Sequence, residues 1–384
     1  MQDAFGATVV GGGIIGLLTA WQLAESGEHT LLLEQHQISY PEGSSRGVSR
    51  AFGDTHLRNI DFYFARNSRY LWQKLERVTG RKLLHLNGGL DIATGRYSIM
   101  KITAKLNARH SPYDFYEGAA LSRRYPQWKR SSRMYALYSP NAGILRADRC
   151  MNAAVSAARK CGVVIRDQSR VVDIDPKGPS KTTLVKTSSG KVYRTQKLVI
   201  AAGPWAQSIL MRLGVRLELN VSQEQTVYFA PRRNAELFMP ENSPVWDWDG
   251  SEFVYGFPIF EKAGIKIAFH QDGHHLKNLR EFRKTPSESV IKRLRAFLNR
   301  HMPDAAGKAF GATTCLYTNT SDDDFVIDTV PGFRRIVFFA GCNGRAFHCA
   351  PAISSVLKEL VCESKTRLNI SPFGLNRFRG GRDV

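Results

Sequence analysis

The stretch Thr8-Val9-Val10-Gly11-Gly12-Gly13-Ile14-Ile15-Gly16 decides the fold of this chain, because it joins a β-branched run to the spacing G-x-G-x-x-G. Gly11 permits a tight turn, Gly13 lets backbone amides approach a pyrophosphate, and Gly16 allows a helix to pack closely on the strand. The N-terminus of that helix favours phosphate charge. The stretch therefore predicts a strand, a turn and a helix that bind a dinucleotide.

The residues that follow complete a dinucleotide-binding unit. Leu17, Leu18 and Trp21 recur at helical spacing, and the apolar run Leu31-Leu32-Leu33 ends in Glu34. A carboxylate at the end of a second strand suits the ribose hydroxyls of adenosine and argues against a 2′-phosphate. We therefore predict a dinucleotide that lacks this phosphate.

Length and composition predict a soluble enzyme of two domains, because 384 residues with 43% hydrophobic content bury a substantial core. No stretch is long enough to span a membrane. The N-terminus lacks a secretory signal, and the six cysteines are scattered without a C-x-x-C pair. We expect a cytoplasmic monomer without membrane attachment.

The formal net charge of +20 favours acidic partners or substrates, or else belongs to a solvated surface. The last fifteen residues, with Arg377, Arg379 and Arg382 among glycines, are predicted to form a basic tail. No zinc spacing, helix-turn-helix signature or RNA-binding aromatic motif accompanies the charge. We therefore predict neither nucleic-acid binding as the main role nor a metal site.

Several segments predict that the chain returns to the nucleotide-binding sheet. They are Gly162–Ile165, Ser169–Ile174, Lys197–Trp205 and Ile336–Gly341, and a helix with an apolar stripe follows the last. We predict that residues 1–84, 143–218 and 312–384 form one discontinuous domain.

Two intervening stretches, 85–142 and 219–311, have a different character. The first is rich in Arg, Tyr and Ser, and the second carries alternating runs such as Thr226–Phe229 and Ile265–Phe269. We predict that they form a second domain with an antiparallel sheet, which encloses a substrate cavity at the domain boundary.

Six blocks resemble, in order and spacing, the monomeric sarcosine oxidase and N-methyltryptophan oxidase family of covalent flavin amine oxidases. The blocks are the N-terminal glycine stretch, Gly43–Arg50, Asn141–Leu145, Leu198–Trp205, Tyr255–Pro258 with Gly264–Lys266, and Cys315–Asp328. The resemblance covers nearly the whole chain. It implies an α/β (α+β) fold, with a Rossmann-like FAD-binding domain and an antiparallel-sheet substrate domain in the glutathione-reductase/D-amino-acid-oxidase-like architecture.

The resemblance implies that Cys315 forms a thioether to the 8-methyl carbon of FAD. It also implies that Arg50 lies by the flavin and stabilises negative charge on the reduced ring, and that Lys266 activates oxygen. Because Lys266 alternates with Ile265 and Ile267 on a predicted strand, its side chain points to the opposite face from theirs. A cation at that place stabilises developing superoxide charge.

The matching positions give the remaining predicted site residues. We expect Lys266, Arg50, His348, Arg46 and Tyr255 to act in catalysis. We expect contact with the cofactor from Gly11, Gly13, Ile14, Ile15, Gly16, Glu34, Gln35, Ser44, Ser45, Arg46, Arg50, Val171, Ala202, Gly203, Trp205, Cys315, Gly341, Asn343, Gly344, Arg345, Phe347 and His348.

Departures from the family pattern concern the substrate. Gly53 stands where sarcosine-oxidising members have a carboxylate-binding arginine, and His348 stands where they have a lysine. Arg46 and Arg345 replace family histidines, and Ala346 replaces a glycine. A histidine is only partly charged near pH 7, whereas an arginine pairs strongly with a carboxylate. Sarcosine is therefore not transferred as the substrate.

Three substrate classes stay open. They are an amino or imino acid held by Arg46 or Arg345, an amine without a free carboxylate, and an aminoacyl thioester on an acidic carrier protein. In each case the neutral amine loses a hydride equivalent to the flavin and becomes an imine, and oxygen becomes hydrogen peroxide. His348 is then a substrate contact, a proton acceptor or a structural residue.

Other functions also stay open. A flavin dehydrogenase passes electrons to a quinone or carrier, and a related enzyme oxidises a cyclic amino acid or imine in secondary metabolism. A non-catalytic flavoprotein binds an acidic partner through its basic face.

Overall fold

A computed structural model describes residues 4–38, 40 and 43–378 of the chain. Arg379 and Arg382 of the predicted basic tail lie outside these ranges. The strands of the described residues are β1 Ala4–Val10, β2 Thr30–Leu33, β3 Ser49–Phe52, β4 Leu84–His85, β5 Gly89–Ala93, β6 Asp114–Glu117, β7 Tyr135–Ser139, β8 Gly143–Arg146, β9 Val164–Arg166, β10 Val171–Gly178, β11 Thr182–Thr187, β12 Val192–Ile200, β13 Asn220–Phe229, β14 Val245–Asp249, β15 Phe253–Phe257, β16 Ile265–Phe269, β17 His274–Leu276, β18 Ala309–Asn319, β19 Val326–Val330 and β20 Phe333–Ala340. The α-helices are α1 Ile14–Glu25, α2 Asn59–Thr79, α3 Arg96–Ala108, α4 Ala119–Arg124, α5 Ala147–Lys160, α6 Ala206–Arg212, α7 Glu288–His301 and α8 Ala346–Glu363.

The first large sheet has eight strands and contains the N-terminal glycine unit. Its order is β10-β11-β12-β1-β2-β9, and β20 pairs with the second half of β12 while β19 pairs with β20. The strand β1 runs parallel to both β12 and β2, as a doubly wound nucleotide-binding sheet requires. The predicted returns of the chain to this sheet are therefore confirmed as β9, β10, β12 and β20.

Helices cover one face of this sheet through a single apolar core. The helices α1, α2, α5 and α8 contribute fully buried side chains to it, including Trp21, Trp72, Ala154 and Ile353. The contact of α1 with the turn that follows β1 is a backbone contact, because a Cβ added at Gly16 would overlap the carbonyl oxygen of Gly11. The glycine at position 16 thus sets how closely the helix lies on the sheet.

The second large sheet has nine strands, in the order β17-β13-β16-β15-β14-β5-β7-β6, with β18 beside β13. Most of its pairs are antiparallel, as predicted, but β5 and β14 run parallel in the register Val245–Gly89 to Asp249–Ala93. The two strands come from the two separate intervening stretches. Their pairing joins these stretches into one sheet, and no turn between them fixes an antiparallel direction.

The strand β18, which carries Cys315, pairs with β13 from Asn319 back to Ala309. It therefore extends the second sheet, whereas the sequence places the boundary of the nucleotide-binding domain at residue 312. Residues 309–315 of β18 are exposed or partly exposed, and its last four residues, 316–319, are buried. The assignment of the remaining ranges to domains stays a prediction.

Among the described residues, no helix combines the length and apolar character needed to cross a membrane.

We predict that Gly16→Ala lowers the free energy of unfolding by about 2 kcal/mol or more, because the added methyl group overpacks the contact between α1 and β1. Gly95→Ala is the matched control, since Gly95 has open space around its Cα and a φ of −118°. Its cost should stay below about 1 kcal/mol. Urea unfolding measures both, and equal losses would contradict the close contact.

Candidate active site

One cavity of ≈ 1670 Å³ runs from the glycine turn at Gly11, past Cys315, to His348 at the start of α8. Its wall includes residues of both large sheets, such as Leu33 of β2 and Lys266 of β16. Glu34, which directly follows β2, also lines it. Ligand pockets usually measure about 300–1,000 Å³. This cavity therefore has room for a dinucleotide and a second small molecule.

The end of the cavity near the glycine turn fits an adenosine diphosphate group. Glu34 Oε2 accepts a hydrogen bond from the Gly12 amide at 2.6 Å, which holds the carboxylate at the mouth of the turn. Ser45 Oγ accepts one from the Ile14 amide at 3.1 Å, and a Cβ at Gly13 would lie 3.2 Å from the same oxygen. Small residues thus keep the backbone open to a pyrophosphate.

The segment Gly43–Arg50 links this turn to the strand of Cys315. Ser44 Oγ donates to the carbonyl oxygen of Leu316 at 2.6 Å. The Arg50 guanidinium donates to the carbonyl oxygens of Ser44 and Arg46 at 3.0 and 2.7 Å. Arg50 is therefore held by backbone oxygens, and in the described part of the chain no carboxylate neutralises it.

One carbonyl oxygen joins two cationic side chains. The Ser49 oxygen accepts from Arg50 Nη1 at 2.9 Å and from Lys266 Nζ at 2.9 Å. Ser49 Oγ lies a further 3.3 Å from Lys266 Nζ. The arrangement places a second cation, delivered by the other sheet, directly beside the first.

Lys266 is buried in the wall of this cavity, with 5% of its surface exposed. Its Nζ also lies 4.6 Å from the centre of the Phe257 ring. Burial, and then the charge of Arg50, hold the pKa of Lys266 well below its ordinary value. The predicted orientation is confirmed, since Ile265 and Ile267 pack in the core on the opposite face of the sheet.

Cys315 faces the same cavity from β18, opposite Glu224 of β13. Burial raises the pKa of its thiol, while the charges of Arg50 and Lys266 act in the opposite direction. The thiol is therefore neutral in this environment, close to two cations that stabilise a thiolate. All six cysteines of the chain are free, so Cys315 is available for another bond.

Two tyrosines from different strands of the second sheet face the cavity, Tyr317 of β18 and Tyr255 of β15. The hydroxyls of Tyr255 and Tyr317 form a hydrogen bond with each other, and both residues line the cavity. Burial raises the pKa of both phenols. They stay protonated and present a hydroxyl pair to whatever occupies this part of the cavity.

His348 is neutral at physiological pH. Burial, and then the neighbouring His56 and Arg345, lower its pKa to about 3. The rings of His348 and His56 lie 5.4 Å apart, and burial also lowers the pKa of His56. His348 therefore replaces the family lysine with a neutral ring, which does not pair with a carboxylate by charge.

The two arginines that depart from the family pattern each have partners within the chain. Arg46 donates to the Ile38 carbonyl oxygen at 3.0 Å and to Asn152 at 3.2 Å. Arg345 donates to the carbonyl oxygen of Asp323, and its guanidinium lies 3.8 Å from Asp324. Both line the cavity, but these partners already use much of their hydrogen-bonding capacity.

Most of the residues predicted to contact the cofactor lie in the cavity wall, and three do not: Gly16, Gly341 and Asn343. Gly16 belongs to α1 and faces Gly11 and Val9, away from the cavity. The buried side chain of Asn343 accepts from the Thr320 amide at 3.0 Å and donates to the Gly341 carbonyl oxygen at 2.8 Å. Gly341 and Asn343 therefore stabilise the turn before α8 without lining the cavity.

Sequence reasoning missed an acidic pair in the wall of this cavity. Asp91 of β5 and Asp247 of β14 are register partners on adjacent parallel strands, and both line the cavity. Burial, and for Asp91 also the charge of Asp247, raise the pKa of both carboxyls. The available signal was a single acid inside each apolar run, in Leu90-Asp91-Ile92 and Trp246-Asp247-Trp248.

Comparison with known proteins agrees with this geometry. The model of the family described as FAD dependent oxidoreductase matches residues 7–360. Peroxisomal sarcosine oxidase of Homo sapiens is 28% identical over 382 residues, covering 98% of this chain and 97% of that protein. Monomeric sarcosine oxidase of Bacillus sp. (strain B-0618) is 28% identical over 389 residues, with coverages of 98% and 97%.

Among solved structures, the open form of NikD, an unusual amino acid oxidase essential for nikkomycin biosynthesis, matches with a TM-score of 0.85. The match covers 97% of this chain and 98% of that chain at 22% sequence identity, so it is a likeness of fold. The predicted fold class, a Rossmann-like FAD domain with a second large sheet, is confirmed.

We predict that Asp91→Asn makes the protein more stable than the wild type at alkaline pH. The pKa of Asp91 is raised in the fold above its ordinary value of 3.8, so its protonated form favours folding, and this contribution is lost as the pH rises through the folded value. The variant should gain about 1–2 kcal/mol at pH 9 and nearly nothing at pH 4.

The measurement is the free energy of unfolding in urea from pH 4 to pH 9. Asp249→Asn is the matched control, because Asp249 is exposed at the end of β14, the strand that pairs with the strand of Asp91. Its pH profile should follow that of the wild type. A constant difference between Asp91→Asn and the wild type over the whole range would contradict the raised pKa.

Proposed function

Because this chain belongs to the FAD dependent oxidoreductase family, which its residues 7–360 match, we propose that it oxidises the C–N bond of a secondary amine or of an amino or imino acid. The resemblance to sarcosine oxidases is confirmed by relatives aligned over nearly their whole length. The chain is a flavoprotein oxidoreductase acting on CH–NH groups. The proposed products are an imine and hydrogen peroxide.

The residues present fit FAD at the dinucleotide end and at the ring end. A Cβ at Gly11 would overlap the carbonyl oxygen of Ala201, so this turn admits only a glycine. Glu34 is placed to accept from ribose hydroxyls, and Cys315 faces the ring end of the cavity. When bound, FAD supplies the two-electron chemistry, taking electrons from the amine and passing them to an acceptor.

The carbonyl oxygen of Ser49, which accepts hydrogen bonds from both Arg50 and Lys266, gives this proposal its main support. It fixes the Arg50 guanidinium and Lys266 Nζ next to each other without a carboxylate among their described partners. Their positive potential stabilises negative charge that develops on a ring or on oxygen in the adjoining space. Since the pKa of Lys266 is lowered by burial, nearby negative charge favours its ammonium form and draws a proton onto Nζ.

On the substrate side, the chain offers hydroxyls and neutral rings. Tyr255 and Tyr317 present their phenols, and His348 is unprotonated because its pKa is about 3. A neutral imidazole accepts a hydrogen bond from an amine N–H and helps to hold the amine in its reactive, unprotonated form. We assign substrate positioning to these three residues.

We assign oxygen as the acceptor because of the place of Lys266. The options of a free substrate and of an aminoacyl group on an acidic carrier both stay predictions, as do the monomeric state and the cytoplasmic location. If the substrate is bound to an acidic carrier protein, the net charge of +20 attracts that carrier to the enzyme. The rate of oxidation of the carrier-bound substrate should then fall steeply with added salt.

We predict that Lys266→Met slows reoxidation of the flavin by oxygen at least about 100-fold, because a preorganised cation is lost, and slows its reduction by the amine far less. Stopped-flow absorbance measures the two half-reactions separately. Lys262→Met is the control, since Lys262 lies near Lys266 but outside the cavity wall, with its Nζ over the Tyr228 ring. Equal slowing of both half-reactions in Lys266→Met would remove the proposed role.

We predict that the flavin stays with the wild-type protein after acid precipitation and leaves Cys315→Ala. The reason is that a thioether survives denaturation, whereas the hydrogen bonds of the cavity do not. Cys362→Ala is the control, because Cys362 lies outside the cavity wall. Release of flavin from the wild type, or its retention by Cys315→Ala, would contradict the covalent bond through this thiol.

A further inference from the structure

Two carboxylates project from the second sheet into the cavity. Asp91 and Asp247 are register partners on β5 and β14, and both line the cavity wall. Because side chains alternate along a strand, their chain neighbours lie on the other face. These neighbours pack in the core of the second sheet: Leu90, Ile92, Trp246 and Trp248.

The acidic pair lies in the same wall as the proposed reaction centre. Asp247 is the register partner of Tyr255, and Lys266 is the register partner of Phe257, two residues further along β15. With strands about 4.8 Å apart and a rise of about 3.4 Å per residue, the Cα atoms of Asp247 and Lys266 are roughly 12 Å apart. One small molecule with an extended chain spans this distance.

The chain does not neutralise this pair. Within the described ranges, Thr55 is the only hydrogen-bonding partner of the Asp91 side chain, the Asp247 carboxylate has no hydrogen-bonding partner, and neither forms an ion pair. Buried carboxylates without a cation are costly, and two adjacent ones share a proton instead of both ionising. The pair thus leaves an unbalanced negative charge facing the cavity.

Three basic side chains that line the cavity are bound to partners other than this acidic pair. Arg50 and Lys266 are bound to the Ser49 oxygen, and Arg345 is bound to the Asp323 carbonyl oxygen beside Asp324. His348 is neutral. In the part of the chain that the structure describes, the acidic pair therefore has no ion-pair partner, and the site lacks the carboxylate-binding side chains of sarcosine-oxidising members.

We propose that Asp91 and Asp247 form a subsite for a cationic nitrogen of the substrate, an ammonium or guanidinium group that is separate from the amine being oxidised. The inference rests on the proposed amine oxidation. It narrows the substrate class to diamines and to amines or amino acids that carry a second basic nitrogen. The cationic nitrogen of the substrate supplies the positive charge that Asp91 and Asp247 lack. The reacting nitrogen lies near Lys266, away from these two carboxylates, and is therefore neutral.

Three ligands that differ at one end test this subsite. N-methylhexanediamine carries a terminal ammonium, N-methylheptylamine a methyl group, and ω-(methylamino)heptanoic acid a carboxylate. The holoenzyme is mixed with each without oxygen. The apparent Kd is taken from the concentration dependence of flavin bleaching, and the rise in Tm at a fixed ligand concentration gives a readout that does not require turnover.

The wild type should bind the ammonium ligand at least about tenfold more tightly than the methyl ligand, and the carboxylate ligand most weakly. Asp247→Asn and Asp91→Asn should each reduce this preference, and the double variant should bring it below about threefold. Asp249→Asn, at the exposed end of β14, should keep the wild-type preference. Asparagine preserves the shape of the side chain, and the Tm without ligand reports whether each variant folds.

Two results would overturn the subsite. One is wild-type binding of the methyl or carboxylate ligand as tight as that of the ammonium ligand. The other is an equal loss of preference in Asp249→Asn. If no ligand bleaches the flavin, the proposed amine oxidation fails, and the Tm series still decides whether the acidic pair prefers a cation.

Discussion

The carbonyl oxygen of Ser49 imposes the constraint on which the rest of the site depends. It belongs to a short strand beside the nucleotide-binding turn, yet it accepts from Lys266 of the second sheet as well as from Arg50. Two basic side chains are thereby fixed side by side in a buried place, where the charged form of Lys266 is costly unless negative charge arrives. This cost lowers the pKa of Lys266, so that negative charge in the cavity favours protonation of its amine. The proposed oxygen chemistry uses this coupling.

The cavity has a second pole of opposite sign. The acidic pair Asp91 and Asp247 lies toward the centre of the second sheet, while the cations lie toward Cys315. A molecule that binds between them experiences a gradient of potential, which orients it before reaction. The neutral ring of His348 and the absence of a side chain at Gly53 remove two positive charges that a carboxylate would need. Both changes and the acidic pair favour a substrate with a basic nitrogen at its far end.

Local sequence patterns predicted much of this structure. The glycine turn, the strands around residues 165, 172, 199 and 338, and the inward face of Lys266 each depend on a short stretch of chain, and the structure confirms them. Pairings between distant segments were not predictable in the same way. The parallel alignment of β5 with β14 joins strands more than a hundred residues apart, and it alone brings Asp91 and Asp247 together. The pairing of β18 with β13 likewise moves Cys315 into the second sheet. Gly341 and Asn343 are motif positions whose role depends on what lies behind the turn.

The proposed oxidase chemistry is tested by the amount of hydrogen peroxide formed per amine consumed, measured in air with the purified holoenzyme. We expect one molecule of peroxide for each C–N bond oxidised, because both electrons leave through oxygen beside Lys266. Amine consumption that requires an added quinone or dye, without peroxide, would contradict the assignment of oxygen. A holoenzyme that consumes no amine would contradict the proposed function itself.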